Sequence, residues 1–410
     1  MQSTQRATRA LRFNARAFST SSHIAAPSSL RINSGRLWET LHETCKWGAA
    51  HSYGDNPQDT GMARLTLNDD DARVRRWFAD EVQKLGCSLS VDQMGNMFAR
   101  QSGRLESTAP MIAMGSHLDS QPRGGRYDGI LGVMAALEVL RTMKENDFKT
   151  NFDVGIVNWT NDPKTGYPLG AHFELHIEQG PILQETGRSI GIVQGAQGYR
   201  WLTVTVHGKD AHTGTTPFSA RQDPLLAASK MIAASNAIAK QHDALASTGI
   251  IKVPSNASTN TVATNVTFTL DIRHPHDHVV CAVQESCLKE FGTIALEDGK
   301  GVSFDWTLDT DSPAVKFDQS CITSIKAAAD HLVGPEKSML ITSGAGHDTV
   351  YTSKHCPSAM IFVPCRDGVS HHPTEYCSPE DCALGAQVLL EAVVHYDESK
   401  AKERSGIQAV

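Results

Sequence analysis

The stretch that most restricts this chain is Gly115 to Leu131, GSHLDSQPRGGRYDGIL. It follows an apolar run, Met111 to Met114, that reads as a buried strand, and it leads into an apolar helix start from Ile130 to Leu140. Between them His117, Asp119 and Asp128 sit in a loop rich in glycine (Gly124, Gly125, Gly129). A strand end is rigid, and the glycines let the backbone turn so that Asp128 swings back toward His117. One imidazole and one carboxylate held this way are ligands of the kind zinc takes. Asp119 lies two residues on, on the strand face of His117, where it can hold the other ring nitrogen.

The surrounding chain alternates strands and helices. Asp69 to Leu85 carries Val74, Trp77, Phe78, Val82 and Leu85 on one helical face. Ser88 to Val91 and Asn96 to Arg100 read as short strands, VGIVN (Val154 to Asn158) and AHFELHI (Ala171 to Ile177) as buried ones. This order predicts an α/β sheet. At Gly198 the character changes. Trp201 to His207, Ile250 to Val253, Val262 to Arg273 and Val302 to Leu308 are strands, mostly alternating, with helices at Pro224 to Lys240 and Asp277 to Leu296. That is a βαββαβ order, the pattern of a ferredoxin-like α+β sandwich. α/β character then resumes, with a helix at Gln319 to Leu332, a strand at Ala359 to Val363 and a closing helix from Pro379 to Tyr396. The boundaries read as 37–197 and 311–400 for the α/β body, 198–310 for the insertion and 401–410 for a tail.

Several classes are excluded. A net charge of −7 gives no electrostatic case for nucleic acid. No apolar run approaches the roughly 18 residues of a membrane span. Nine scattered cysteines without a CxxC read as reduced thiols of an intracellular protein. The first 38 residues contain no Asp or Glu, while Arg6, Arg9, Arg12 and Arg16 recur at helical spacing before a Ser/Thr cluster at Ser19 to Ser22. An Arg-rich, Ser-rich, acid-poor start is that of a mitochondrial transit peptide, assigned to residues 1–36.

Three further loops carry histidine: His176 in HFELHIEQG, His347 beside Asp348 in SGAGHDT, and His371 in DGVSHHPTE. Each is unremarkable alone. Loops at the carboxyl ends of strands in an open α/β sheet gather at one edge, where ligands bind.

Taken together, GSHLDSQPRGGRYDGILG, FELHIEQGP, DAHTGTTPFSARQDPL, DIRHP, SGAGHD and GVSHHPTE resemble the amidase branch of the co-catalytic zinc hydrolases. That branch contains N-carbamoyl-L-amino-acid hydrolases, β-ureidopropionases and allantoate amidohydrolases. The resemblance covers about Leu37 to Tyr396. It implies a mixed-sheet catalytic domain with an inserted dimerisation domain, hence a homodimer, and two divalent ions: zinc, or else manganese, cobalt or nickel. His117, Asp128 and His176 are then ligands of one ion, with Asp128 bridging to a second that His371 also binds. His212, in DAHTGTT, would polarise the substrate carbonyl, often from the other subunit. Gln179, Asn260, Arg273 and His347 would contact a small ureido or amide substrate that bears a carboxylate, the guanidinium in bidentate fashion. The implied chemistry is hydrolysis of a linear C–N bond by metal-activated water. The resemblance leaves a peptidase or an aminoacylase of the wider superfamily as the alternative, and HIEQG and DIRHP lean against a peptidase.

One segment departs from the family. After a strand like VGIVNWTN the family carries EEGARF, whose first Glu is the general base and whose second binds the second ion. Here Asn161 is followed by Asp162, Pro163, Lys164, Thr165 and Gly166, and within a few residues the chain is already in the run-up to HIEQG. The second ion keeps only Asp128 and His371, so that site is weakened and activity impaired. The linker between the two strands is too short to lay a helix over the sheet, which predicts a bare apolar strip. The intact state of the other motifs favours an interrupted reading of the gene, such as a lost exon, over a natural, inactive homologue that serves as a dimerising protein.

Overall fold

The computed structural model describes residues 29–105, 110–160, 167–255, 257–298 and 301–407. Most of the transit-peptide assignment, and Asp162 with Pro163, fall outside the described residues.

The larger body is built on a nine-stranded mixed sheet. Its order is Val315–Lys316, Ile190–Ala196, Ser358–Val363, Leu169–Ile177, Met111–His117, Val154–Trp159, Met97–Gln101 and Ser88–Val91; Ser338–Ser343 also pairs with Ile190–Ala196. The four central strands, from Ser358–Val363 to Val154–Trp159, run parallel. Covered on both faces, Val154–Trp159 and Ser358–Val363 are buried at every residue, which explains their continuous apolar runs. The helix Ile130–Glu145 is apolar around most of its circumference because it packs against the sheet, the first helix Ser34–Thr44 and the closing helix Pro379–Ile407. Two buried carboxylates fasten these helices. Glu138 accepts from the Arg36 guanidinium at 2.8 Å, and Asp397 accepts from the backbone amides of Asn151 and Phe152 at 2.8 Å.

Val154–Trp159 and Leu169–Ile177 run in the same direction and flank Met111–His117. The strip expected to lie bare is instead a small second core. Phe98, Met111, Ala113, Val157 and Trp159 are buried, and Tyr167 stacks on Phe98 with ring centroids 4.1 Å apart. Three aromatic side chains, Phe98, Trp159 and Tyr167, thus belong to this second cluster.

The insertion is a separate antiparallel sheet ordered Leu245–Ser247, Asn265–His274, Gly198–His207 and Ser303–Ser312, with Ile251–Lys252 also paired to Asn265–His274. In chain order this is second, third, first, fourth, the ferredoxin-like arrangement. Leu202, Val204, Val206, Val266, Phe268, Leu270 and Ile272 form one buried face under the helices Pro224–Gln241 and Asp277–Asp298. The other face is open, with Trp201 exposed.

Three details differ from the sequence reading. Strands Ile190–Ala196 and Ser338–Ser343 were not anticipated: the first is broken by Gly191 and Gly195, the second has serine at both ends. The closing helix continues to Ile407, into the segment read as a tail, because its last turns are polar and gave no apolar stripe.

Candidate metal centre

His117 ends the strand Met111–His117, and His176 is the penultimate residue of its parallel neighbour Leu169–Ile177. Both imidazoles therefore emerge at the carboxyl edge of the sheet. Asp128 stands just before the helix Ile130–Glu145, and His371 lies in the loop between Ser358–Val363 and the closing helix. All three imidazoles meet the one carboxylate. His117 Nε2 lies 3.8 Å and His176 Nε2 3.1 Å from Asp128 Oδ1, and His371 Nε2 lies 3.3 Å from Oδ2. Gly129 makes this approach feasible. Its φ is +71°, and a Cβ there would stand 2.2 Å from His117 Cε1.

The donor set fits a divalent ion of the zinc type. His117 Nδ1 faces the Asp119 carbonyl oxygen at 3.0 Å, and His176 Nδ1 faces the Ile177 carbonyl oxygen at 2.8 Å. These backbone acceptors fix both Nδ1–H tautomers and leave Nε2 as the ligating atom. The Gly129 amide donates to His176 Nε2 at 3.2 Å, which agrees with a lone pair there. Asp119 performs the expected holding role through its backbone as well as its side chain: its Oδ1 is 3.4 Å from His117 Nδ1, while Oδ2 accepts from the Thr66 hydroxyl.

Electrostatics bind the cluster together. Burial alone would favour neutral Asp128, yet His176, His371 and His117 hold its carboxyl well below the usual range. Burial likewise opposes charge on His117 and His176, but Asp119 and Asp128 raise the first, and Asp128 the second, above the ordinary imidazole value. The hydrogen bond to Asp128 raises His371. His347 is different: burial and the neighbouring His176 push it down to about 3, so its ring is neutral.

These residues line a cleft of about 360 Å³ that also takes in Gln179, Arg273 and His347. Gln179 donates to Asp128 Oδ1 at 3.3 Å and to Ser370 Oγ at 3.0 Å. Arg273 reaches across from the inserted domain. It pairs with Asp271 and donates to the Gly344 carbonyl at 2.7 Å. Two sequence-derived candidates are not brought to the cleft within one chain. His212 is exposed on the two-stranded ribbon Ala211–His212 with Thr261–Val262, and Asn260 adjoins it, its carbonyl accepting from the Thr213 amide at 2.9 Å. The ribbon belongs to the inserted domain, and neither residue lines the cleft. His372 also stays apart, facing Thr374 Oγ1 at 2.8 Å.

Sequence reasoning missed Glu375 and Glu174. Buried Glu375 accepts from the amides of Tyr127 and Asp128 at 3.1 and 3.0 Å and from Ser370 Oγ at 2.8 Å, so it sets the backbone that carries Asp128. Its place within the quoted GVSHHPTE motif was a usable signal. Glu174 shares a strand face with His172 and His176, and that alternation of polar residues in an otherwise buried strand was legible too.

Comparison with known proteins gives the family of the chain. Residues 113–395 match peptidase family M20/M25/M40. The chain is 33% identical to the N-carbamoyl-L-amino-acid amidohydrolase of Rhizobium meliloti, over 90% of this chain and 98% of that protein. It is 29% identical to the allantoate amidohydrolase of Bacillus subtilis, over 81% and 92% of the two chains. The crystal structure of an amidase of the hydantoinase/carbamoylase family from Burkholderia multivorans superposes with a TM-score of 0.82 at 35% identity, covering 90% and 99%.

Proposed function

The chain belongs to peptidase family M20/M25/M40 and to the C–N hydrolases within it, and from that premise we propose that it is built to hydrolyse linear ureido or amide bonds in small substrates that carry a carboxylate. The observation that carries this is the convergence of His117, His176 and His371 on Asp128. His117, Asp128 and His176 would hold one divalent ion, and Asp128 with His371 would begin a second site. When bound, such ions lower the pKa of a shared water and polarise the scissile carbonyl.

The chain's own residues do the rest. Asp119 and Glu375 keep His117 and the Asp128 backbone in place. The Arg273 guanidinium, already steered by Asp271, offers its remaining N–H groups to the substrate carboxylate. Gln179 and His347 face the same cleft and would orient the polar end of the substrate. His212 and Asn260 would act across a homodimer, consistent with their exposed ribbon and with the free, exposed edge strand Ser303–Ser312. Residues 1–36 would direct import into mitochondria; a fluorescent fusion of these residues that stays diffuse in the cytosol would end that assignment.

Turnover by this polypeptide is expected to be impaired, because the segment that supplies the general base in the family is absent. The absence also keeps open a second role, a metal-binding, dimerising homologue without turnover. Loading the purified chain with zinc or manganese and assaying N-carbamoyl amino acids separates the two. Bound metal with slow but metal-dependent hydrolysis is expected. Robust turnover contradicts the impairment, and a folded chain that binds no metal contradicts the hydrolase assignment.

A further inference from the structure

Beneath the Asp128 group lies a second set of donors. Strand Leu169–Ile177 turns Ala171, Phe173, Leu175 and Ile177 into the main core and puts His172, Glu174 and His176 on the opposite face. Glu174 is completely buried, yet among the described residues no lysine or arginine pairs with it. Its partners are neutral donors: Ser116 Oγ at 2.7 Å, the Thr349 amide at 2.9 Å and Thr349 Oγ1 at 2.7 Å. These orient the carboxylate and occupy three of its roughly four acceptor positions. A buried carboxylate without a cation is costly, and the histidines against it do not all supply one. His347 is buried, and its ring meets that of His176 edge-on with centroids 4.6 Å apart. One ligand atom from each of Glu174, His176 and His347 lies within 4.8 Å of the others. Next in sequence to His347, Asp348 has its Oδ2 buried without a hydrogen-bond partner.

We propose that Glu174, His176 and His347 form an inner seat for one divalent cation of the zinc type, deeper in the same cleft than the group around Asp128. One carboxylate oxygen and two imidazole nitrogens are a zinc-like donor set. The inference rests on the cleft being a metal site. His176 Nε2 has a single lone pair, so the two seats exclude each other at that residue. An ion in the inner seat leaves the outer group with His117, Asp128 and His371 only. The chain therefore offers one ion two alternative positions, and the inner one discharges the isolated charge of Glu174.

The test uses the full chain stripped of metal with a chelator and titrated with cobalt(II) by equilibrium dialysis, with circular dichroism as the check on folding. Asp128→Asn disables the outer seat and is expected still to bind one cobalt ion per chain. Adding His347→Ala to that variant is expected to weaken the remaining binding by about a hundredfold or more. A folded Asp128→Asn chain that binds no cobalt overturns the inner seat, as does binding that survives the second substitution. Should Asp128→Asn not fold, His117→Ala/His371→Ala disables the outer group at more accessible positions and gives the same two outcomes. Cobalt stoichiometry is independent of turnover, so loss of the inner seat and failure of the C–N hydrolase assignment are told apart.

Discussion

Strands Leu169–Ile177 and Gly198–His207 have opposite ways of using their second face. In the first, Ala171, Phe173, Leu175 and Ile177 meet the main core, and His172, Glu174 and His176 are just as deeply buried on the other side. In the second, Leu202, Val204 and Val206 are buried under helices, and Trp201, Thr203 and Thr205 look outward. A strand buried on both faces must give each polar side chain a partner, so it builds a site. A strand open on one face leaves its polar residues to water, and whatever chemistry that domain contributes has to be completed elsewhere. Seven of the ten residues singled out from the sequence line one cleft, six from the α/β body and Arg273 reaching in from the open domain, while His212 and Asn260, on that domain's exposed ribbon, do not.

The largest way to sharpen this contrast is to restore what the sheet edge lacks. Inserting the family's Glu-Glu-Gly-Ala-Arg-Phe segment and its helix after Asn161 is expected to raise kcat on N-carbamoyl amino acids by about 10²–10⁴-fold, the usual contribution of a general acid–base. An unchanged kcat would mean that the cleft is not the reaction site.

Proton competition comes next. Because Asp128 and Asp119 hold His117, His176 and His371 above the ordinary imidazole value, these rings keep their protons to higher pH than free histidine. A metal ion takes only the deprotonated form, so affinity rises as pH rises through these values and falls as pH drops. Zinc titrations between pH ~8 and ~6 should weaken by up to about tenfold per unit for each proton displaced. A flat profile would place the ion elsewhere.

In the restored enzyme, Arg273→Ala is expected to lower kcat/KM by about 10–100-fold, the worth of hydrogen bonds to a charged group. The comparison to make is with a substrate that lacks the carboxylate, where the loss should vanish. Gly129→Ala pushes a methyl into the His117 ring at a positive φ and should destabilise the fold by about 1–3 kcal/mol, read as a lowered Tm, while zinc affinity falls with it. Trp201→Ser, on the open face, should stay within about 0.5 kcal/mol and leave zinc stoichiometry unchanged.

Much of this was readable beforehand, for physical reasons. The ferredoxin-like insertion announced itself because its strands alternate at period two and its helices at 3.6. The four ligand candidates were legible because His117 and His176 stand at strand ends, Asp128 just before a helix start and His371 in a loop at the same sheet edge, all in motifs that contain glycine or proline. Glu375 stands in the quoted GVSHHPTE motif, but its role was not legible, because its work is done through backbone amides of Tyr127 and Asp128, which lie 248 and 247 residues away in sequence. The strip around Phe98 was misjudged because only a helix was considered as its cover, whereas Tyr167 stacks on Phe98 and Leu169 packs against the same cluster. Ile190–Ala196 escaped notice because two glycines interrupt a strand whose pairing is set by three neighbours.

The most direct measurement is an anomalous-difference map from a crystal of the zinc-loaded chain. A peak about 2.0–2.2 Å from His117 Nε2, His176 Nε2 and an Asp128 carboxylate oxygen is expected. A folded chain with zinc bound only at sites remote from Asp128 and His176 would contradict the metal centre and the chemistry derived from it.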